Sequence, residues 1–282
     1  MTGYGDNTAQ GKFWNDKPGQ SWVKYDIVMN QRLENITNLL FQAVEKTSGS
    51  TGLDIGCGTG STTIKLAELL EGDGWVNGID ISGPMLNSAR KKISEKDQIF
   101  FIEADAQTYK FSLRNFQIVI SRFGVMFFED PVKAFRNIRS AMSPGAVLTF
   151  VCWAPYDKNE FFSLPFETVS HFTGSVLDIE PHAPGPLAFS DMEYVKKILS
   201  AADFSDLDIK QLETSLVTKD TPQQDAEILM NIGFGARALR EAELDETIRS
   251  RVYDKFVKNS QDRHSDGLIR YSATINLVRA LA

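Results

Sequence analysis

A chain of 282 residues can form one large domain or two small ones, with ample core in either case. Its 42% hydrophobic and 24% charged residues are ordinary for a globular protein. The net charge of −7 argues against a nucleic-acid partner, which is held by cationic surface.

No apolar run reaches the length of a membrane span, and residues 1–20 lack the apolar core of a signal peptide. The only two cysteines, Cys57 and Cys152, have no metal-ligand spacing. The expected protein is cytoplasmic, with reduced thiols and no membrane span.

Residues 1–20 are polar and glycine-rich, with aromatics at Tyr4, Phe13 and Trp14, and Trp22 follows. Over 22–46, Ile36, Leu39, Leu40, Ala43 and Val44 recur at helical spacing. A turn-rich link over 47–52 leads into a first strand, Leu53-Asp54-Ile55, which is polar for the centre of a parallel sheet. Three glycines then fall at every second position, Gly56, Gly58 and Gly60, before Ser61-Thr62-Thr63 opens a helix to Leu70. Strand, glycine turn and helix make the first half of a nucleotide-binding βαβ unit. A second strand over 75–79 ends in Asp80, an acid placed to accept from both hydroxyls of a ribose.

The glycine register distinguishes ligands. A dinucleotide turn needs its third glycine where Ser61 stands, so a dehydrogenase is disfavoured. Asp54 would repel a pyrophosphate and suits a ligand carrying an ammonium group.

Further along, Ser82 caps a helix over 84–93, a third strand covers 99–102, and Asp105-Ala106 follows it. A fourth strand over 116–121 runs into Arg122-Phe123-Gly124, and Asp130-Pro131 starts the next helix. Ser143-Pro144-Gly145 turns into a fifth strand over 146–153. Strands alternating with helices predict a doubly wound α/β sheet in the order 3-2-1-4-5. Cys57 and Cys152 then lie two strands apart, about 9–10 Å, beyond disulfide reach.

Residues 154–189 carry five prolines and no clear period, which reads as a loop acting as a lid. Ser190 and Glu193 predict a capping box for a helix to Ala202. A strand over 204–217, a helical insert from Thr221-Pro222 to about 259, and a closing strand over 271–281 complete the chain.

The motif LDIGCGTG with Asp80 resembles the class I S-adenosylmethionine-dependent methyltransferases. GIDISGPML over 78–86, Asp105-Ala106, and SRFGVMFFEDPVKAFRNIRSAMSPGAVLTFVCW over 121–153 resemble the small-molecule methyltransferases of ubiquinone and menaquinone biosynthesis. The likeness covers roughly residues 10–210 well. It implies a seven-stranded Rossmann-like fold as a single domain over 1–282. The divisions would be an N-terminal cover over 1–46, a cofactor core over 47–153, a lid over 154–189, and C-terminal helices with closing strands over 190–282.

The resemblance implies S-adenosyl-L-methionine as cofactor. Gly56, Gly58 and Gly60 would pack on its methionine part and Asp54 would face its amino group. Asp80 would hold the ribose, with Ile81 beside the adenine. The Asp105 carboxylate and the Ala106 N–H would bond the adenine edge. The carbonyl of Ser121 or Phe123 would meet the ammonium. Trp14 and Trp22 match the family's cover, either facing the sulfonium or stapling the first helix.

His171 and His182, in the expected lid, are candidate general bases because histidine titrates near neutrality. With Ser121-Arg122-Phe123 where a metal-dependent enzyme would need an acid, no metal is expected. The expected reaction is in-line displacement by an O, N or C nucleophile of a small molecule. The alternative is a sensor or assembly protein that binds the same cofactor without transferring its methyl.

Overall fold

The computed structural model describes residues 7–44, 51–70, 74–111, 115–242 and 244–282. Tyr4 and most of the link over 47–52 lie outside them. Four short helices come first: α1 (Thr8–Asn15), α2 (Lys17–Lys24), α3 (Asp26–Arg32) and α4 (Glu34–Gln42). The sequence pattern gave one helix from residue 22 and none before it. The reason is that α1 buries no residue, so it has no apolar stripe to detect. In α2 the one buried position is Gly19, where a Cβ would stand 2.0 Å from the Trp14 carbonyl oxygen. Close backbone contact, rather than side-chain periodicity, fixes these two turns.

The α/β core follows the expected alternation: β1 (Gly52–Ile55), α5 (Ser61–Leu70), β2 (Val76–Asp80), α6 (Gly83–Arg90), β3 (Ile99–Glu103), β4 (Phe116–Arg122), α7 (Pro131–Ala141) and β5 (Met142–Trp153). The Ser82 hydroxyl caps α6 by accepting from the Met85 N–H at 3.4 Å, and Asp130 caps α7 by accepting from Lys133 at 3.0 Å. One boundary moves. Met142 already pairs with Phe116, and the chain then bulges through Gly145 before Val147 meets Ile118. Ser143-Pro144-Gly145 is therefore an irregularity inside β5, not a turn before it.

The second half contains α8 (Glu160–Thr173), α9 (Met192–Ala201), β6 (Ser205–Thr218), α10 (Pro222–Leu229), α11 (Gly233–Glu241), α12 (Glu246–Asp262), β7 (His264–Ser265) and β8 (Leu268–Leu281). The expected loop over 154–189 thus carries a 14-residue helix. Its buried stripe runs Phe161, Pro165, Val169, a helical spacing in which a proline takes one apolar position and hides the pattern. The cap of α9 is Asp191, accepting from Glu193 at 2.8 Å, and not Ser190. Thr221 and Gln224 do form the capping box that opens α10.

The sheet order is β3-β2-β1-β4-β5-β8-β6, with β7 paired to β8, so among the described residues eight strands stand where seven were expected. The first five strands are parallel, and β8 is antiparallel to both β5 and β6. Cys57 and Cys152 are free and buried, and burial pushes both thiol pKa values up. Among the described residues no helix is long and apolar enough to cross a membrane.

A buried polar cluster ties the N-terminal helices to the insert α10–α12. Arg32 donates to Asp225 at 2.5 Å and to Asp220 at 2.8 Å. Asp225 also accepts from the hydroxyls of Ser260 and Tyr271. Both terminal nitrogens of Arg32 are paired, while its Nε is buried without a partner among the described residues. The cluster fixes how the N-terminal cover and the insert meet across the open edge of the sheet.

Candidate active site

The site begins where β1 ends. Gly56 has φ 65°, and a Cβ there would lie 2.6 Å from the Gly124 Cα, so the loops after β1 and β4 touch backbone to backbone. Gly58, at φ 54°, is uncrowded, with Met85 Sδ the one atom near a Cβ, at 3.6 Å, an ordinary contact. Its N–H donates to Asp80 Oδ2 at 2.7 Å, while Asp80 Oδ1 accepts from the Ser82 N–H at 2.8 Å. Asp80 is buried, and burial raises its pKa against the pull of these backbone donors.

Around this turn lies a cavity of about 630 Å³. Gly56, Gly58, Asp80 and Ile81 line it from the first two strands, and Asp105, Ala106 and Phe123 from the third and fourth. Trp14 and Trp22 close it from the N-terminal helices. Asp105 Oδ1 accepts from Asn7 Nδ2 at 3.2 Å and from the Gln107 N–H at 2.9 Å. The side-chain oxygens of Asn7 and Gln10, also in the lining, are buried with no partner among the described residues. Orphan acceptors in the same cavity as a carboxylate, one of them on the residue bonded to it, make a place for a donor such as an exocyclic amine.

Five expected site residues are placed elsewhere. Asp54 is fully buried and outside the lining, accepting from the Thr62 and Thr63 hydroxyls at 2.7 Å each. It anchors the start of α5 beneath the turn and does not line the cavity. Gly60 is likewise a packing glycine, since a Cβ there would stand 2.8 Å from Phe101 Cζ and 2.9 Å from Ala89 Cβ. Ser121 is fully buried, donating to the Ile55 carbonyl at 2.7 Å and accepting from the Gly124 N–H at 3.1 Å. It pins the β4 loop to β1.

Neither histidine reaches the cavity. His171 sits exposed in the last turn of α8, edge-on to Phe172. His182 is exposed and its ring stacks on Tyr194 at 3.7 Å, while the neighbouring Pro184, Gly185 and Pro186 do enter the lining.

The far half of the cavity was not foreseen as a unit. Phe123, at φ 67°, stacks on Trp153 with centroids 4.1 Å apart and planes 5° from parallel. Trp153 meets Phe162 at 4.9 Å, and Phe162 meets Phe234 of α11 at 5.1 Å. This wall of rings leads from the end of β4 to Arg237, Arg240 and Glu241. Phe162 comes from the stretch read as a lid; the contribution of α11 has no signal beyond its helical pattern. Arg122 also lines the cavity, and it donates to Thr37, Asn30 and Ser61 at 2.6–3.1 Å. Among the described residues no group of three or more His, Cys, Asp or Glu is placed to hold a metal.

A parallel sheet with a glycine turn after its first strand and a buried acid after its second defines a nucleoside-binding α/β protein. Comparison with known proteins narrows this. Residues 53–145 match the model of a methyltransferase domain. Aklanonic acid methyltransferase DauC of Streptomyces sp. strain C5 is 32% identical over 130 residues, covering 45% of this chain and 56% of that protein. The demethylmenaquinone methyltransferase of Thermus thermophilus is 31% identical over 162 residues, covering 54% of this chain and 73% of that protein. In fold, the chain is similar to phosphoethanolamine N-methyltransferase 2 of Haemonchus contortus in complex with S-adenosyl-L-methionine, with TM-score 0.50 and 20% identity. That likeness covers 89% of this chain and 52% of the other. The chain therefore spans about half the length of two of these three relatives.

The chain belongs to the class I S-adenosylmethionine-dependent methyltransferases, and S-adenosyl-L-methionine is the family's cofactor.

Proposed function

We propose that this protein transfers the methyl group of S-adenosyl-L-methionine to an O, N or C nucleophile of a flat, largely apolar small molecule in the cytoplasm. The observation that carries the reading is one continuous cavity that holds both the glycine-turn end and the wall of rings from Phe123 to Phe234. Similarity to proteins named for aklanonic acid and demethylmenaquinone supports a ring-bearing acceptor. Two free, buried cysteines suit a reducing compartment.

The residues fit the cofactor. The unpartnered oxygens of Asn7 and Gln10, with the Asp105 carboxylate, would take the donors of the adenine edge, and the Ala106 N–H would meet a ring nitrogen. Asp80, already fixed by two backbone donors, would use its remaining lone pairs for the ribose, with Ile81 beside the base. Gly58, beside the close contact of Gly56 with Gly124, leaves room for the methionine part, whose ammonium would meet the Phe123 carbonyl. Trp14 and Trp22 would cover it from above.

When bound, the cofactor supplies a methyl group already activated on a sulfonium. The protein's own work is orientation and exclusion of water, which its apolar walls provide. The described lining contains no histidine, and its one carboxylate near the rings, Glu241, is paired with Arg237. Base catalysis is accordingly no part of the proposal. Residues 1–282 would act as one unit, with the cover, core and insert each closing one side. A binding protein without transferase activity would not need the second chamber beyond the cofactor end.

Calorimetry with S-adenosyl-L-methionine and its demethylated product tests the cofactor site. Both should bind. Asp80→Ala, folded by circular dichroism, should bind about a hundredfold more weakly, having lost charge-assisted hydrogen bonds. Unchanged binding in that variant would overturn the reading.

A further inference from the structure

At its outer end the wall of rings gives way to charge. Phe234, Arg237 and Glu241 share one face of α11 at helical spacing, and Arg240 lies one turn beyond Arg237. All four line the cavity. Arg237 Nε donates to Glu241 at 2.8 Å, so these two neutralise each other. No hydrogen bond or salt bridge joins Arg240 to another described residue, and Glu241, its one attractive neighbour, is already engaged.

Arg240 is exposed at the cavity's edge, and partial burial and the neighbouring Arg237 lower its pKa against the pull of Glu241. The other acids of the lining, Asp80 and Asp105, are at the cofactor end and held by backbone donors. Arg122 is given to Thr37, Asn30 and Ser61. Among the described residues the ring-lined chamber therefore ends in a net positive charge that no free anion of the lining answers. A planar guanidinium fork with free donors suits a carboxylate or another planar oxyanion.

We propose that the acceptor carries an anionic substituent, and that α11 selects it by binding that group with Arg240, assisted by Arg237, while its flat body lies along Phe234, Phe162 and Trp153. This rests on the reading of the cavity as a cofactor and acceptor site.

Two probes differing only in charge test it: anthraquinone-2-carboxylate and its methyl ester. Each is titrated by calorimetry at neutral pH into protein saturated with S-adenosyl-homocysteine. The carboxylate should bind at least about tenfold more tightly than the ester, and the margin should shrink as salt is raised. Arg240→Gln should weaken the carboxylate about five- to tenfold and leave the ester within twofold, and Arg237→Gln should act in the same direction to a smaller extent.

Equal binding of the two probes to the wild type, or equal weakening of both by Arg240→Gln, would overturn the proposal and leave the acceptor chamber standing. If S-adenosylhomocysteine binds and neither probe does, the flat-acceptor reading fails and this proposal with it. Loss of S-adenosylhomocysteine binding in the wild type would instead refute the cofactor site.

Discussion

Replacing Asp54 by Asn separates two roles for an acid in the glycine turn, one toward a ligand and one toward the fold. The carboxylate is fully buried and accepts from Thr62 and Thr63 through one oxygen. Its other oxygen has no partner among the described residues. Burial raises the pKa from 3.8 to about 6, with the two hydroxyls and Arg122 pulling the other way. The folded state thus holds this proton more tightly than the unfolded chain. Its contribution to stability is complete below the unfolded value and is lost as pH rises through about 6. The whole difference is about 3 kcal/mol, of which about 2 kcal/mol falls between pH 4.5 and 7.5. Asn keeps an oxygen for the two hydroxyls and removes the ionisation. Urea unfolding of both proteins at the two pH values should show the wild type losing about 2 kcal/mol relative to the variant on going to pH 7.5. Calorimetry should show cofactor affinity changed less than about threefold, as expected for a side chain outside the cavity. A stability gap that is the same at both pH values would refute the buried-charge argument. Loss of cofactor binding in a folded variant would restore the ligand-facing role that the family resemblance implied.

The other glycines and polar residues give sharper contrasts. Gly60→Ala should cost about 2–4 kcal/mol in chemical denaturation, because its Cβ would collide with Phe101 and Ala89 at a positive φ. Gly58→Ala should cost only about 1–2 kcal/mol, since strain acts there without a collision. His171→Ala and His182→Ala should each leave initial rates within about twofold, as both rings lie outside the cavity. Arg32→Met should destabilise by about 3–5 kcal/mol by stranding the buried Asp225 carboxylate. Adding Asp225→Asn should recover part of that loss in the same unfolding assay.

The two ends of the cavity differ in how far the sequence could reveal them, and the reason is chain separation. The residues proposed for the cofactor, from Gly56 to Phe123, follow one another at the carboxyl ends of four consecutive strands. Each is announced by local chemistry: a glycine where φ is positive, an acid at a strand end, a cap before a helix. Even there, residue type did not fix direction. Asp54 has the composition of a ligand contact, yet one of its oxygens is used by the hydroxyls that hold the turn, as the Ser121 side chain is used by the backbone around it. The polarity of β1, odd for a central parallel strand, has a related explanation: one oxygen of Asp54 is used by the first turn of α5. The acceptor end is assembled differently. Trp153 ends a strand, Phe162 belongs to a helix that its own proline disguises, and Phe234 and Arg240 come from an insert between β6 and β8. What brings them together is the packing of α11 on α8, where Phe234 meets Phe162 and Gly235 lies against Pro165, with the insert tied to the N-terminal helices by the buried pairing of Arg32 with Asp225, across 193 residues of sequence. A contact of that range has no local signature, since each partner alone reads as an ordinary surface charge. The division also bears on function. Residues that hold a shared cofactor lie on the rigid sheet, whereas those proposed to choose the acceptor lie on an insert whose sequence can change without disturbing the strands.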